Sequence, residues 1–316
     1  MRAELSRSTP NLIKQRIPAS LFEHRYIYLL VLPGILWFIV FCYLPMIGIV
    51  IAFEDYKLAK GMFGSQWAGL KYFIQFVTNY SFPTVIRNTV CISLLKIVIG
   101  FPAPIILALM LNEVKRMFFR RTIQTVSYLP HFVSWVVVLG IWGRLLSPEG
   151  GMVNELLTSL EIVDVPVNFM LTSGYMWPIA IVSEIWKTIG WNSIIYLAAL
   201  SNINPELYES AKIDGAGRFK QLVYITIPSI FPTISILFIL SMGGILTANF
   251  DQLYILGAAP VLDVTEVIDT YIFRLGLKEM HYSLGAAAGL MRSVLSFILV
   301  LLTNKVVKML GQEGIW

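Results

Sequence analysis

The chain has 316 residues, of which 57% are hydrophobic and 14% are charged. Because soluble domains carry about 25% charged residues, this composition excludes a soluble globule and indicates a protein embedded in lipid. The formal net charge of +5 comes from Lys and Arg residues that lie between apolar runs, a pattern that sets membrane orientation and argues against a nucleic-acid-binding face.

The amino-terminal tail, residues 1–25, is basic and precedes the first apolar run. Its cations are Arg2, Arg7, Lys14, Arg16 and Arg25. The apolar run that follows is too long for the hydrophobic region of a cleavable signal peptide. We therefore expect this run to stay in the membrane as the first helix.

The lengths of the apolar runs predict six transmembrane helices, because a bilayer core of about 30 Å requires about 20 apolar residues in a helix. In chain order the runs are 26–53, 88–112, 122–143, 176–201, a stretch within 221–250, and 284–304. Residues 253–262 are apolar but too short to cross, so we predict a loop there. The predicted fold class is an all-α membrane protein.

Basic residues predict which way the helices run, since cytoplasmic loops carry an excess of Lys and Arg. The basic loops follow the second, fourth and sixth runs, with Lys115, Arg116, Arg120, Arg121, Lys212, Arg218, Lys220, Lys305 and Lys308. Residues 147–175 contain no Lys or Arg and are acidic. The first outer loop carries cations too, which weakens the contrast. We predict that both termini face the cytoplasm.

No internal repeat or low-complexity tract divides the sequence. We therefore predict a cytoplasmic tail at 1–25, one six-helix domain at 26–310, and a short cytoplasmic end at 311–316. The loop at 203–223 joins the fourth and fifth helices on the cytoplasmic side.

This cytoplasmic loop carries the signals of a short independent helix. Asn204 is a favourable N-cap and Pro205 a favourable first residue. Glu206 and Glu209 place carboxylates in the first turns, where the helix dipole favours them. Gly215 ends the pattern. We predict a helix of about three turns.

One face of the predicted helix is shaped for contact with a partner. Leu207, Ala211 and Gly215 recur at a spacing of four residues, so that they form a line of decreasing size. Charged residues border this line, namely Glu209, Lys212 and Asp214. A helix with such a face, held between two membrane spans, can transmit a rigid push.

The same loop resembles the signature loop of binding-protein-dependent ABC importer permeases. That pattern is Glu-Ala-Ala, three residues, Gly, nine residues, and Ile-x-Leu-Pro. Residues 209–211 (Glu-Ser-Ala), Gly215 and residues 225–228 (Ile-Thr-Ile-Pro) follow it with two conservative changes. The resemblance implies that the helix docks in a cleft of a separate ATPase subunit, through Glu209, Ser210, Ala211, Asp214, Gly215, Ala216 and Phe219.

Further segments are similar to carbohydrate permeases. Residues 213–216 resemble the sugar-transporter version of the signature loop. Residues 249–251, 257–260 and 285–288 resemble maltose-type permeases, and residues 32–34, 43–45 and 314–316 resemble complex-saccharide permeases of Gram-positive bacteria. The resemblance implies a multi-pass subunit in the cell membrane. Its implied partners are a second homologous permease subunit in a heterodimer, two ATPase subunits, an extracellular solute-binding protein and a saccharide.

Nucleotide, metal and catalytic motifs are missing from the sequence. It contains no Gly-Lys dipeptide and hence no phosphate-binding P-loop. Its histidines and cysteines lack metal-ligand spacing; they are His24, His131, His281, Cys42 and Cys91. We expect no catalytic residue, metal or cofactor in this chain, and place ATP and Mg on the partner ATPase.

Four ionisable residues lie inside predicted spans, where charges are costly and suggest function by default. Glu184 and Lys187 are three residues apart, a spacing that allows them to neutralise one another on one helix. Lys96 and Arg292 are expected to pair across helices or to extend toward the membrane surface. For all four we favour packing or pairing over contact with the substrate.

Candidate residues for a sugar path combine aromatic faces with hydrogen-bonding side chains. They are Glu184, Trp186, Trp191 and Asn192 in the fourth run, with Asn249 and Asp251 after the fifth. The tryptophans have a second interpretation, because this residue also anchors helices at lipid headgroups.

These observations favour an importer permease for oligo- or polysaccharides. One alternative is an ABC importer permease for another solute. Another is an ion-coupled secondary transporter, which would favour inverted repeats. A membrane-embedded enzyme lacks a nucleophile or metal constellation. Which saccharide moves is left open.

Overall fold

The computed structural model describes residues 25–247, 249–311 and 314–315. These residues are mostly helical. The α-helices are α1 (Arg25–Phe38), α2 (Gly61–Gly64), α3 (Lys71–Thr78), α4 (Phe82–Leu95), α5 (Pro102–Glu113), α6 (Met117–Tyr128), α7 (Trp135–Leu145), α8 (Met152–Ser159), α9 (Ser173–Ser201), α10 (Pro205–Ile213), α11 (Arg218–Gln221), α12 (Ile227–Gly244), α13 (Phe250–Leu256), α14 (Leu262–Thr265), α15 (Ile268–Tyr271) and α16 (Tyr282–Met309).

Tighter and wider helical segments join several of these helices. The 3₁₀ segments are Leu44–Phe53, Leu129–Phe132, Phe169–Leu171, Ile245–Thr247 and Ala259–Val261, and the π-helical segments are Ile39–Tyr43, Lys96–Gly100, Leu222–Thr226 and Ile272–Lys278. A short antiparallel hairpin pairs β1 (Glu54–Asp55) with β2 (Gln66–Trp67). Single π-helical turns of this kind are frequent at functional sites.

Contacts divide the chain into a unit that ends at Val50 and a unit that begins at Ile51. The described part of the first unit is α1 followed by π and 3₁₀ segments. The predicted tail at 1–24 and the end residues 312, 313 and 316 lie outside the described residues.

Four helical stretches of the described chain are long and apolar enough to cross a membrane, and a bent pair would make a fifth. The four are Arg25–Phe53, Phe82–Glu113, Arg218–Leu256 and Tyr282–Met309. Helix α9 has 29 residues, enough to cross, but it is less apolar because it contains Glu184, Lys187 and other polar residues. Four to five apolar helices are therefore established, and the count of six stays a prediction.

The third predicted span consists of two helices separated by a sharp bend. Met117–Phe132 and Trp135–Leu145 meet at an angle of 108°. Pro130, in the 3₁₀ segment before the bend, has no amide hydrogen to continue the helix. Ser134 then caps α7, its hydroxyl accepting a hydrogen bond from the Val137 amide at 3.5 Å. A helix end and a new helix start thus meet within one apolar run.

Helix α9 is the centre of the second unit. One face of its amino-terminal half packs into a cluster with Ile92, Leu139 and Leu253, and its carboxy-terminal half packs with Ala108, Leu111 and Ile230. Gly190 allows α6 to approach closely, because a Cβ there would lie 2.1 Å from the Ser127 carbonyl oxygen. Small residues serve this purpose in membrane helices.

Residues 253–262, predicted as a loop, are partly helical. Helix α13 covers the first of them and a 3₁₀ segment covers Ala259–Val261. Leu253, Leu256 and Val261 are buried in the cluster around α9. The apolar character of this segment therefore reflects burial in the protein core.

Candidate functional site

Helix α10, in the loop predicted to be cytoplasmic, begins as the sequence predicts. The Asn204 side-chain oxygen accepts a hydrogen bond from the Glu206 amide at 3.1 Å, and Pro205 is the first helical residue. This bond satisfies one of the free amides of the first turn. The predicted N-cap is confirmed.

The predicted end of α10 is also confirmed, and Gly215 forms the carboxy-terminal cap. The Gly215 amide donates to the Lys212 carbonyl at 3.1 Å and the Ala216 amide to the Ala211 carbonyl at 2.8 Å. This pair of bonds is a Schellman motif, which requires a left-handed residue at Gly215, and its φ is +76°. A Cβ on Gly215 would meet no atom of this chain within 4 Å, so within the chain only the backbone demands glycine.

Two hydrogen bonds attach α10 and the turn after it to the start of the fifth predicted span. The Tyr208 and Thr226 hydroxyls lie 3.0 Å apart, and the side-chain amide nitrogen of Gln221 donates to the Ala216 carbonyl at 2.8 Å. On its other side α10 follows α9 after three residues. A displacement of α10 therefore acts on α9 and on the segment that leads into α12.

Helix α10 and the short helix α11 that follows it expose three apolar side chains, which we call the apolar patch. None of the α10 residues is buried. Leu207 and Ile213 of α10 are 49% and 87% exposed, and Phe219 of α11 is 78% exposed. Such a patch with a polar rim marks a contact surface for another protein. Sequence reasoning singled out Leu207 and Phe219 but missed Ile213, although Ile213 opens a quoted motif.

The other predicted coupling residues surround this patch. Glu209, Ser210, Asp214 and Gly215 are exposed, whereas Ala211 and Ala216 are half-buried. The predicted line of Leu207, Ala211 and Gly215 is therefore only partly open to a partner.

Within the second unit, a cavity of about 490 Å³ lies between α9, α12 and the segment that joins α4 to α5. Three of the six candidate path residues line it: Glu184, Asn192 and Asn249. Sequence reasoning did not assign Lys96, Thr188, Ser241 or Thr247 to the path, yet all four also line the cavity. The signal available for Lys96 was its charge inside an apolar run.

The remaining three candidates lie elsewhere. Trp191 stacks on His131 with ring centroids 4.5 Å apart. Trp186 lines a separate crevice against α6, and Asp251 is an exposed residue of α13. The aromatic residue that lines the cavity is Phe101.

The charged residues of the predicted spans pair differently from the predicted i,i+3 pair. The Lys96 ammonium lies 2.5 Å from a Glu184 carboxylate oxygen, and Arg292 forms an ion pair with Asp269. The prediction that Lys96 and Arg292 each pair with a residue of another helix is confirmed. Pairing of Glu184 with Lys187 is wrong, because Lys187 caps the broken third span.

Lys187 donates to three main-chain oxygens at the 108° bend. They are the carbonyls of Pro130 at 3.3 Å, His131 at 2.7 Å and Val133 at 2.5 Å. The end of a helix leaves carbonyls without partners, and a cation there also favours the helix dipole. The three bonds therefore satisfy the donors of the Lys187 ammonium and the free carbonyls at the bend.

A third cluster lies at the hairpin of the predicted first outer loop. The Tyr72 hydroxyl donates to an Asp55 oxygen at 2.6 Å. Burial raises the pKa of Tyr72 to about 12, and the hydrogen bond from Tyr72 lowers the pKa of Asp55. Three aromatic side chains of this loop are strongly exposed: Phe63, Trp67 and Tyr80.

Comparison with known proteins gives one family and several full-length relatives. Residues 100–312 match the profile of the family described as binding-protein-dependent transport system inner membrane component. The polygalacturonan/rhamnogalacturonan transport system permease protein YteP of Bacillus subtilis (strain 168) is 42% identical over 303 residues, covering 96% of this chain and 94% of YteP. Protein LplB of the same strain is 40% identical, covering 94% of this chain and 93% of LplB.

Two solved structures are similar over nearly the whole chain. One is a bacterial ABC transporter involved in the import of the acidic polysaccharide alginate, with a TM-score of 0.86, 38% identity, and coverage of 93% of this chain and 99% of that one. The other is a bacterial alginate ABC transporter in complex with an alginate pentasaccharide-bound periplasmic protein, with a TM-score of 0.88, 38% identity, and coverage of 95% and 100%.

Proposed function

The chain belongs to the family of binding-protein-dependent transport system inner membrane components, and from this premise we propose that it is a permease subunit of an ATP-driven importer of oligo- or polysaccharides. The transport of polygalacturonan, rhamnogalacturonan and alginate by similar proteins supports a saccharide substrate. The exposed, capped helix α10 is the observation that carries the mechanism.

We place six spans in the cell membrane with both termini in the cytoplasm. The bent pair of α6 and α7 forms the third span and α9 the fourth. This assignment is supported by the basic residues around α10 and by the absence of Lys and Arg from 147–175.

In this proposal α10 docks in a cleft of an ATPase subunit. The exposed side chains of Leu207, Ile213 and Phe219 supply the apolar contact, and Glu209 orients the helix through polar contacts. ATP and Mg bind to two such ATPase subunits, while this chain binds no cofactor. A second, homologous permease subunit completes the membrane domain as a heterodimer.

A solute-binding protein delivers the saccharide to the outer face. The structure of a similar transporter with a substrate-loaded periplasmic protein supports such a partner. We assign its contact to the exposed aromatic residues of the first outer loop, Phe63, Trp67 and Tyr80, because aromatic side chains are enriched at protein interfaces.

The cavity beside α9 forms this subunit's half of the translocation path. Glu184, Asn192 and Asn249 supply donors and acceptors for sugar hydroxyls. ATP-driven closure of the ATPase dimer moves α10, and the attached ends of α9 and α12 transmit that movement to the cavity they line.

Reconstitution tests this function. We expect the purified chain alone to hydrolyse no ATP, and the complex with its partner permease and ATPase subunits to hydrolyse ATP faster when the loaded binding protein is added. Liposomes containing the complex should accumulate the oligosaccharide. Sustained ATP turnover by the isolated chain, or a complex that ignores the binding protein, would contradict the proposal.

A further inference from the structure

Two lysines inside the predicted spans differ in how their donors are used. A lysine ammonium has three N–H donors. Lys187 directs its ammonium to three carbonyl oxygens. Lys96 contacts one acceptor, the Glu184 carboxylate at 2.5 Å, and within the described residues the structure gives it no second one. Lys96 therefore has donors left for another group.

Lys96, which has unused donors, lines the cavity beside α9. Among the described residues that line it, Lys96 is the one cation and Glu184 the one anion. The other polar lining groups are neutral: Thr188, Asn192, Ser241, Thr247 and Asn249. Neutral amides and hydroxyls suit the hydroxyls of a sugar, whereas a buried ammonium suits an anionic group.

Resting on the proposed function, we propose that Lys96 selects saccharides that carry a carboxylate, and that Glu184 occupies the position of that carboxylate while the cavity is empty. An unpaired charge at this depth is costly, so the lysine needs a counter-ion between transport cycles. A uronate carboxylate has the same charge and shape as the Glu184 side chain and can take its place.

The position of Glu184 allows a substrate carboxylate to replace it as the partner of the Lys96 ammonium. Its side chain is 24% exposed, against 13% for Lys96, so water in the cavity can solvate the carboxylate once the substrate holds the ammonium. Competition from Glu184 also keeps the substrate from binding too tightly. A transport site must bind well enough to admit its cargo and weakly enough to release it.

The experiment compares one oligosaccharide with and without its charge. The complete transporter, reconstituted with its binding protein, is supplied with oligogalacturonate or with the same oligomer as its methyl ester. We expect Lys96→Gln to raise KM for the acid relative to the ester by about ten- to a hundredfold, the range for losing a hydrogen bond to a charged group. Lys96→Arg should keep the preference for the acid.

The Glu184 variant gives the opposite sign. Glu184→Gln removes the competing carboxylate, so KM for the acid should fall and the maximal rate should fall with it because release is slower. The double variant Lys96→Gln/Glu184→Gln contains neither charge, which removes the cost of an unpaired ion. It should retain assembly and still lose the preference for the acid.

Direct binding of the two oligomers to the solubilised transporter, without the binding protein, must give the same change in the acid-to-ester ratio. An equal change for both oligomers would overturn the proposal in favour of a structural ion pair, and an unchanged ratio would overturn charge selection. Failure of the wild-type transporter to take up any saccharide would instead contradict the proposed function.

Discussion

The loop that contains α10 and the cavity beside α9 are assembled in different ways. In the loop, the bonds that shape α10 join neighbours: Asn204 with Glu206, and Lys212 with Gly215. In the cavity, the decisive contact joins Lys96 with Glu184, which lie on different spans. A local motif thus determines the shape of α10, whereas the packing of helices determines which side chains line the cavity.

The two regions also differ in what they leave unsatisfied. Helices α10 and α11 expose apolar side chains, with Ile213 and Phe219 at 87% and 78%, and we propose that a protein surface covers them. In the cavity, the described residues give the Lys96 ammonium one acceptor, Glu184, and we propose that a ligand accepts from its remaining donors. The largest effect of a single substitution should therefore come from the loop, where assembly itself depends on the contact.

Gly215→Leu should abolish transport. A leucine in the left-handed conformation costs about 1–2 kcal/mol, and its side chain projects into the space of the docked ATPase. We expect normal membrane insertion, loss of uptake, and loss of the ATPase when the variant is purified by a tag on this chain. The measurement is co-purification of the ATPase alongside sugar uptake.

Gly215→Asn is the matched control, since asparagine visits the left-handed region more readily. It should keep the Schellman motif and part of the activity. Glu209→Ala should be milder than Gly215→Leu and uncouple ATP hydrolysis from uptake without dissociating the ATPase. Retention of the ATPase and normal transport by Gly215→Leu would mean that α10 is only a connector.

The loop was predictable because each of its structural determinants lies within a few residues of its partner. Asn204, Pro205 and Gly215 have conformational preferences that a single sequence reveals, and the structure confirms both ends of α10. Its exposed patch was only partly predictable. Spacing alone suggested that Ala211 is open, whereas the helix turns it partly toward its own chain.

The cavity was less predictable because its residues meet only when the spans pack. Spacing on one helix suggested a Glu184–Lys187 pair, but the break in the third span supplies carbonyls that hold Lys187 instead. Composition suggested tryptophans for the sugar path, yet Trp186 and Trp191 pack against the α6 segment and His131. Residue type identified the polar candidates, and packing decided which of them share a cavity.

Lys187→Met should have the second-largest effect, on stability rather than on selection. It removes the donor that satisfies three carbonyls at the bend, which should destabilise the fold by about 2–3 kcal/mol. Lys305→Met is the matched control, because Lys305 is exposed on α16. Thermal unfolding of the solubilised complex measures both variants.

The two intramembrane lysines are separated by one further readout. Lys187→Met should lower the unfolding temperature and leave the acid-to-ester ratio of KM values unchanged. A change in the acid-to-ester ratio for Lys187→Met as large as the change expected for Lys96→Gln would contradict the assignment of Lys187 to structure and of Lys96 to substrate selection.

The smallest expected effect concerns the outer hairpin, where Tyr72 and Asp55 are neither sequence neighbours nor on separate spans. Tyr72→Phe removes one half-buried hydrogen bond and should lower the unfolding temperature by less than about 3 °C. The effect should depend on pH. The folded protein lowers the pKa of Asp55 from its unfolded value of 3.8. The contribution of the Tyr72–Asp55 bond to stability is therefore present above pH 3.8 and is lost as pH falls below that value toward the folded pKa.

At alkaline pH the same bond is lost for the opposite reason. The folded protein raises the pKa of Tyr72 from 10.0 to about 12, so this contribution is complete below pH 10 and disappears as pH rises through the folded value. Wild type and Tyr72→Phe should therefore differ between these limits and converge outside them. Ser65→Ala is the control: the Ser65 hydroxyl accepts from the Lys57 amide and donates to the Gly61 carbonyl, backbone groups that do not titrate, so its effect should be independent of pH. A pH-independent difference for Tyr72→Phe would show that the tyrosine acts by packing rather than through its bond to Asp55.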